Sequence, residues 1–141
     1  MPFFSIGYFD KERLEVSLLG KPANAKIEGY DWINARVHDD VGGFTGNVGI
    51  SIGLSDIIRF KDQLEPVYRD LKGVAEFTTM EGQLYIRIEL DSLGHVQASG
   101  YLLDDVIGNK LSFNIQYDQT LLWHTISEID EILFELSQAT A

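Results

Sequence analysis

The chain has 141 residues, 45% hydrophobic and 23% charged, proportions that fit a folded globular domain and exclude disordered, collagen-like and coiled-coil classes. Cysteine is absent, which excludes disulfides, thiolate metal sites, iron–sulfur clusters and a cysteine nucleophile, and leaves no pointer to an oxidising compartment. Acidic residues number 22 and basic residues 11, a net charge of −11, which argues against nucleic acid or an anionic membrane surface as partner.

Halves of this chain would be too small to bury sound cores, so a single domain over residues 1–141 is expected. No apolar run reaches the roughly 18 residues of a membrane span, and residues 1–20 lack the basic and apolar blocks of a signal peptide. The expected location is cytoplasmic. The charge is uneven: residues 1–75 hold 9 Lys/Arg and 11 Asp/Glu, whereas residues 76–141 hold 2 and 11, with Lys110 the last cation.

The chain shows no long linker, low-complexity tract or sequence repeat. Leu14 to Leu19 alternates apolar and polar residues and predicts a strand ended by Gly20-Lys21-Pro22. A second strand is predicted through Trp32 to His38 and a third through Phe44 to Ile52. The glycines around the third (Gly42, Gly43, Gly46, Gly49, Gly53) lack either phosphate-loop spacing and no lysine follows, so they read as turn, bulge or close-packing positions. Ser55 is expected to cap a helix carrying Ile57, Phe60, Leu64, Val67 and Leu71 on one face, with a kink or restart at Pro66.

Four further apolar runs, Val74 to Thr79, Leu84 to Leu90, Val96 to Leu103 and Leu111 to Tyr117, are spaced as an antiparallel meander. Asp118 is placed to cap a last helix running to about Ser137, whose core stripe is Leu122, Ile126, Ile129, Leu133 and Leu136, with Thr125 and Ile132 beside it. The expected class is α+β: an antiparallel sheet of about seven strands with two amphipathic helices on one face, the second C-terminal.

His38-Asp39-Asp40 reads as a solvated turn rather than a metal or acid–base site, because adjacent residues on an extended chain diverge and His95 and His124 are isolated in sequence. No cofactor or metal is assigned. The last helix is more informative. His124, Glu128, Glu131 and Glu135 share one side with no cation to offset the carboxylates, which reads either as a solvated face or as a docking surface for a basic partner. Trp123 and Phe134 share a direction roughly 120° from the core stripe, beside Asp130. Packing under the first helix or under Phe3-Phe4 is the favoured cover, and an interface anchor the other reading. The candidate partner-binding set is therefore Glu128, Glu131, Glu135, Trp123, Asp130 and Phe134.

Taken in order, Phe44-Thr45-Gly46, Asp56, Phe60, Gln63-Leu64, Tyr68, Leu71 to Ala75, Glu81-Gly82-Gln83-Leu84, Gly94-His95-Val96 and Asp118-Gln119-Thr120 resemble the pattern of small bacterial WapI-type immunity proteins. The likeness spans about residues 32 to 136. It implies a non-enzymatic antitoxin that binds and blocks a toxin domain, and it brings no catalytic residues with it. A toxin acting on nucleic acid, a nuclease for example, needs a basic surface for which an acidic protein can compete. The alternatives are a small enzyme or ligand-binding domain using Tyr85, Arg87, Glu89, His95 and Tyr101 on the polar sheet face, or a homodimer formed through that face.

Overall fold

The computed structural model describes residues 2–8, 11–20, 32–105 and 108–139. Its elements run β1 (Phe3–Gly7), β2 (Arg13–Leu18), β3 (Trp32–Val41), β4 (Phe44–Gly53), α1 (Leu54–Asp70), β5 (Gly73–Phe77), β6 (Leu84–Leu90), β7 (His95–Leu103), β8 (Lys110–Asp118) and, after a short turn of 3-10 helix, α2 (Leu122–Ala139). The strands make two four-stranded sheets, ordered β1-β2-β3-β4 and β5-β6-β7-β8, all antiparallel. The α+β class and the C-terminal helix are as expected. The single sheet of about seven strands is replaced by two meanders, because α1 carries the chain away from β4 before β5 begins.

The order of elements is four strands and a helix, twice over. The two helices repeat the same apolar pattern at a constant offset: Ile57 matches Ile126, Phe60 Ile129, Leu64 Leu133 and Val67 Leu136. The order of elements and the apolar spacing of the helices thus repeat where no sequence repeat is legible.

Strict alternation along β3 puts Ile33, Ala35, Val37, Asp39 and Val41 inward. With Phe4, Leu14, Ile52, Phe60, Phe77, Ile86 and Ile129 they belong to one continuous hydrophobic cluster, Asp39 excepted. Phe4, Phe60 and Phe77, from β1, α1 and β5, pack as a tilted trio with ring centroids 5.4 to 6.0 Å apart, so the two halves share an aromatic centre.

Each helix docks on the opposite half. α1 packs on β5 and α2 on β1, which are the first, edge strands of their sheets. Thr125 Oγ1 donates to the Ser5 carbonyl (2.6 Å), and Glu128 Oε1 accepts from the Ser5 N–H (2.9 Å) and hydroxyl (2.8 Å). Reciprocally, Gln63 Oε1 of α1 accepts from the Glu76 N–H of β5 (2.9 Å). An edge strand exposes unpaired backbone groups, and here side chains of the helix packed on it occupy some of them.

Several local expectations are corrected. Gly53, not Ser55, takes the cap position of α1; Ser55 is exposed within the first turn, and the Asp56 carboxylate reaches back to accept from the Gly53 N–H (2.9 Å) while pairing with Arg59 (2.7 Å). α1 runs through Pro66 without a restart. Phe3–Gly7 is a strand, and the glycine cluster serves a two-residue hairpin at Gly42-Gly43, with Gly42 at φ 61° in the region that favours glycine. Lys21 and Pro22, expected to end β2, lie outside the described residues. Asp118 caps the 3-10 turn Gln119–Leu121 that leads into α2 rather than α2 itself, accepting from the Thr120 N–H (2.9 Å).

His38-Asp39-Asp40 is not a turn but part of β3. The strand's alternation exposes His38 and Asp40 and turns Asp39 inward, 0% exposed, opposite Leu14 and Gly46. Neither carboxylate oxygen has a hydrogen bond of normal geometry among the described residues. Burial raises its pKa above the ordinary 3.8, offset only in part by nearby backbone amides and His38. A carboxyl raised on folding binds its proton more tightly in the native state, so stability is highest at low pH and falls as pH rises from the ordinary carboxylate range through the raised value. Replacement by asparagine should remove that slope and raise stability at pH 7 by about 1 kcal/mol, read from urea unfolding at a series of pH values; an unchanged slope in Asp39→Asn would refute this.

Candidate functional site

α1 and α2 lie side by side and antiparallel: Tyr68 stacks near Trp123 (ring centroids 6.0 Å) while Lys61 pairs with Asp130 (2.8 Å), so numbers rise along one helix as they fall along the other. The same register brings Ile58, 41% exposed, level with Phe134, 65% exposed. Lys61 also bonds Glu65 (3.2 Å), and these two carboxylates raise its pKa, Asp130 contributing most.

The structure divides the six sequence-predicted residues among three directions of α2. Trp123, Asp130 and Phe134 border α1. Trp123 is covered on one side by Tyr68 of α1, as the packing reading expected, but remains 53% exposed. Asp130 is neutralised by Lys61 rather than left free. Glu128 turns the other way, onto β1, where it is half-buried against Ser5 and its pKa is raised by desolvation in spite of Ser5's two hydrogen bonds. Glu131 and Glu135 point outward with His124, all three exposed. No Lys or Arg lies on α2. The outermost face of the helix therefore carries two exposed carboxylates, with two part-exposed aromatic rings along its α1 side. Beside it, Pro2, Phe3 and Ile132 join Glu128, Glu131 and Glu135 around a depression of about 100 Å³.

Missed at the level of sequence were Tyr68, Lys61, Ser5 and Thr125. Each acts through a partner in another element, and one-dimensional periodicity does not set the register between two helices or between a helix and an edge strand.

The polar face of β5–β8 is occupied by its own contacts. The Tyr85 hydroxyl donates to Glu76, which raises the Tyr85 pKa. Tyr85 packs on Tyr101 (5.7 Å), Lys110 sits over the Tyr101 ring (4.4 Å) and Arg87 pairs with Glu89 (3.1 Å). At the end of this sheet an open cleft of about 730 Å³ includes His95, whose Nδ1 is 3.3 Å from Asp91. The Asp91 carboxylate is already committed to the N–H groups of Leu93 (2.8 Å) and His95 (2.9 Å), which hold its pKa low and shape the β6–β7 turn. Among the described residues no group of three or more His, Asp and Glu is placed to hold a metal.

With that geometry in view, the sequence pattern of the immunity protein WapI-like family matches residues 5–136, nearly the whole chain. The chain belongs to the immunity protein WapI-like family. No curated protein matches it. Among solved structures it is similar to the plant transcriptional regulator PBF-2, at 12% identity and a TM-score of 0.51, over 98% of this chain and 83% of that one; at that identity the likeness concerns the fold alone.

In this WapI-like protein, the two hydrogen bonds from Ser5 converge on a single oxygen of Glu128, and the carbonyl oxygen of glutamine can accept both. Glu128→Gln should therefore unfold at the same temperature or higher at pH 7, whereas Glu128→Ala should lose about 1–2 kcal/mol. Equal losses in both variants, measured by thermal and urea unfolding, would show that the charge rather than the edge-strand cap holds α2 down.

Proposed function

We propose that this WapI-like protein neutralises a toxin domain by binding it through the outward face of α2, without catalysis, in the cytoplasm. The observation that carries the reading is the composition of that face: Glu131 and Glu135 exposed, Trp123 and Phe134 more than half exposed beside them, and no cation on the helix. Carboxylates that lack a compensating charge attract a basic surface at long range, and rigid aromatics supply the desolvated contact area that slows release. A basic active surface, such as that of a nuclease, is the partner this face would cover.

The six candidate residues take unequal roles. Glu131 and Glu135 steer the encounter and Trp123 and Phe134 anchor the complex. Asp130 and Glu128 hold α2 in place, the first through Lys61 and the second through Ser5. The enzymatic alternative on the polar face of the second sheet has less support, because its tyrosines, Arg87 and Glu89 are committed to one another.

Binding kinetics with toxin domains of the kind this family neutralises test the division of roles. Glu131→Lys/Glu135→Lys should lower the association rate about tenfold at low ionic strength, with the difference shrinking as salt is added. Trp123→Ala and Phe134→Ala should leave association nearly unchanged and speed dissociation roughly 30-fold. If all four substitutions leave both rates intact while the toxin still binds, this face is not the interface.

A further inference from the structure

We propose that the outer edge of β4 is a self-pairing seam that joins two copies of this chain across a two-fold axis at Val48. β4 is an edge strand of ten residues. The Leu19 N–H donates to the Asn34 carbonyl (2.9 Å), so even-numbered residues of β3 direct their backbone groups toward β2 and odd-numbered ones toward β4. Through the β3–β4 register, Thr45, Asn47, Gly49 and Ser51 then turn their N–H and C=O groups away from the sheet. No hydrogen bond fills them among the described residues.

Edges are ordinarily protected by charge, proline, shortness or a covering element. β1 is covered by Thr125 and Glu128 of α2, and β5 by Gln63 of α1. β8 carries Lys110 and Asp118 at its ends and packs against β1 and β3. Among the described residues β4 has none of these. From Val41 to Ser55 the chain contains no charged residue and no proline, while the molecule as a whole carries −11.

That neutrality selects a second copy as occupant. Two strongly acidic molecules repel, and a seam free of carboxylates is where they approach at least cost. Antiparallel pairing that uses all four outward residues sets Thr45 opposite Ser51 and Asn47 opposite Gly49 of the second copy, with Val48 on the axis. The small side chains at Gly49 and Ser51 leave room for close approach.

Sedimentation or light scattering of the intact protein should give about twice 15.9 kDa at micromolar concentration. Asn47→Pro removes an outward N–H without touching the β3 ladder and should return the mass to a monomer's with an unchanged circular dichroism spectrum. Two charge variants test the register independently of proline. Asn47→Glu/Gly49→Glu sets carboxylates against carboxylates across the axis, with Arg36, which donates to Asn47 (2.8 Å), beside them in the same chain; it should be monomeric. Asn47→Glu/Gly49→Lys sets opposite charges across the axis and should remain dimeric. A wild-type protein that stays monomeric overturns the proposal, and binding of only an extended strand from another protein does so equally. A dimer that survives both Asn47→Pro and the double-glutamate change overturns the seam. Dissociation of the glutamate–lysine variant overturns the axis at Val48.

Discussion

The hold of each helix on the far half's first strand is the constraint on which the rest of this structure depends. Neither four-stranded meander pairs with the other. What binds them is the exchange of helices, with α1 on β5 and α2 on β1. The polar part of that exchange satisfies edge backbone groups that would otherwise face away from water without a partner. The apolar part is the Phe4, Phe60 and Phe77 cluster, one ring from each of three elements. Removal of the polar contacts would free an edge strand and remove the rigid backing of the α2 outer face together.

This constraint also redistributes the acidic surplus. On a helical wheel Glu128, Glu131 and Glu135 form one stripe, yet the docking of α2 spends Glu128 on Ser5 and Asp130 on Lys61. Each is partly desolvated or neutralised, so the exposed carboxylates left on this stripe are those of Glu131 and Glu135. The membership of an immunity protein family and the exposed character of this face point in one direction. They are separate observations, since family membership is carried by residues throughout 5–136 and the face by one helix.

Much of the fold was legible because its elements obey simple periods. β6 runs over Leu84–Leu90 as its alternation predicts, β7 and β8 differ from expectation by one residue at their ends, and α2 begins three residues late, after a 3-10 turn, and ends two residues late. β1 was missed because Phe3-Phe4-Ser5-Ile6 has no alternation; three of its five residues are buried, on one face by the core and on its outer edge by α2. Ser55 misled because a hydroxyl before an apolar run imitates a cap, while the chain uses Asp56 to hold the Gly53 amide. Asp39 was placed in a turn because the apolar alternation was followed only as far as His38, and β3 continues through it to Val41.

By itself the sequence determined the strands and helices other than β1, which faces of them are apolar, and that the C-terminal half is acidic, since these depend on residue type and spacing along one chain. It also sufficed to show Trp123 and Phe134 on one side of α2, a matter of helical angle alone. The partition into two sheets, the exchange of helices, the pairing of Lys61 with Asp130 and the diversion of Glu128 to Ser5 were decided only in three dimensions. Those features join residues as far as 123 positions apart, and no local rule relates the register of two elements until their apolar faces are packed against one another.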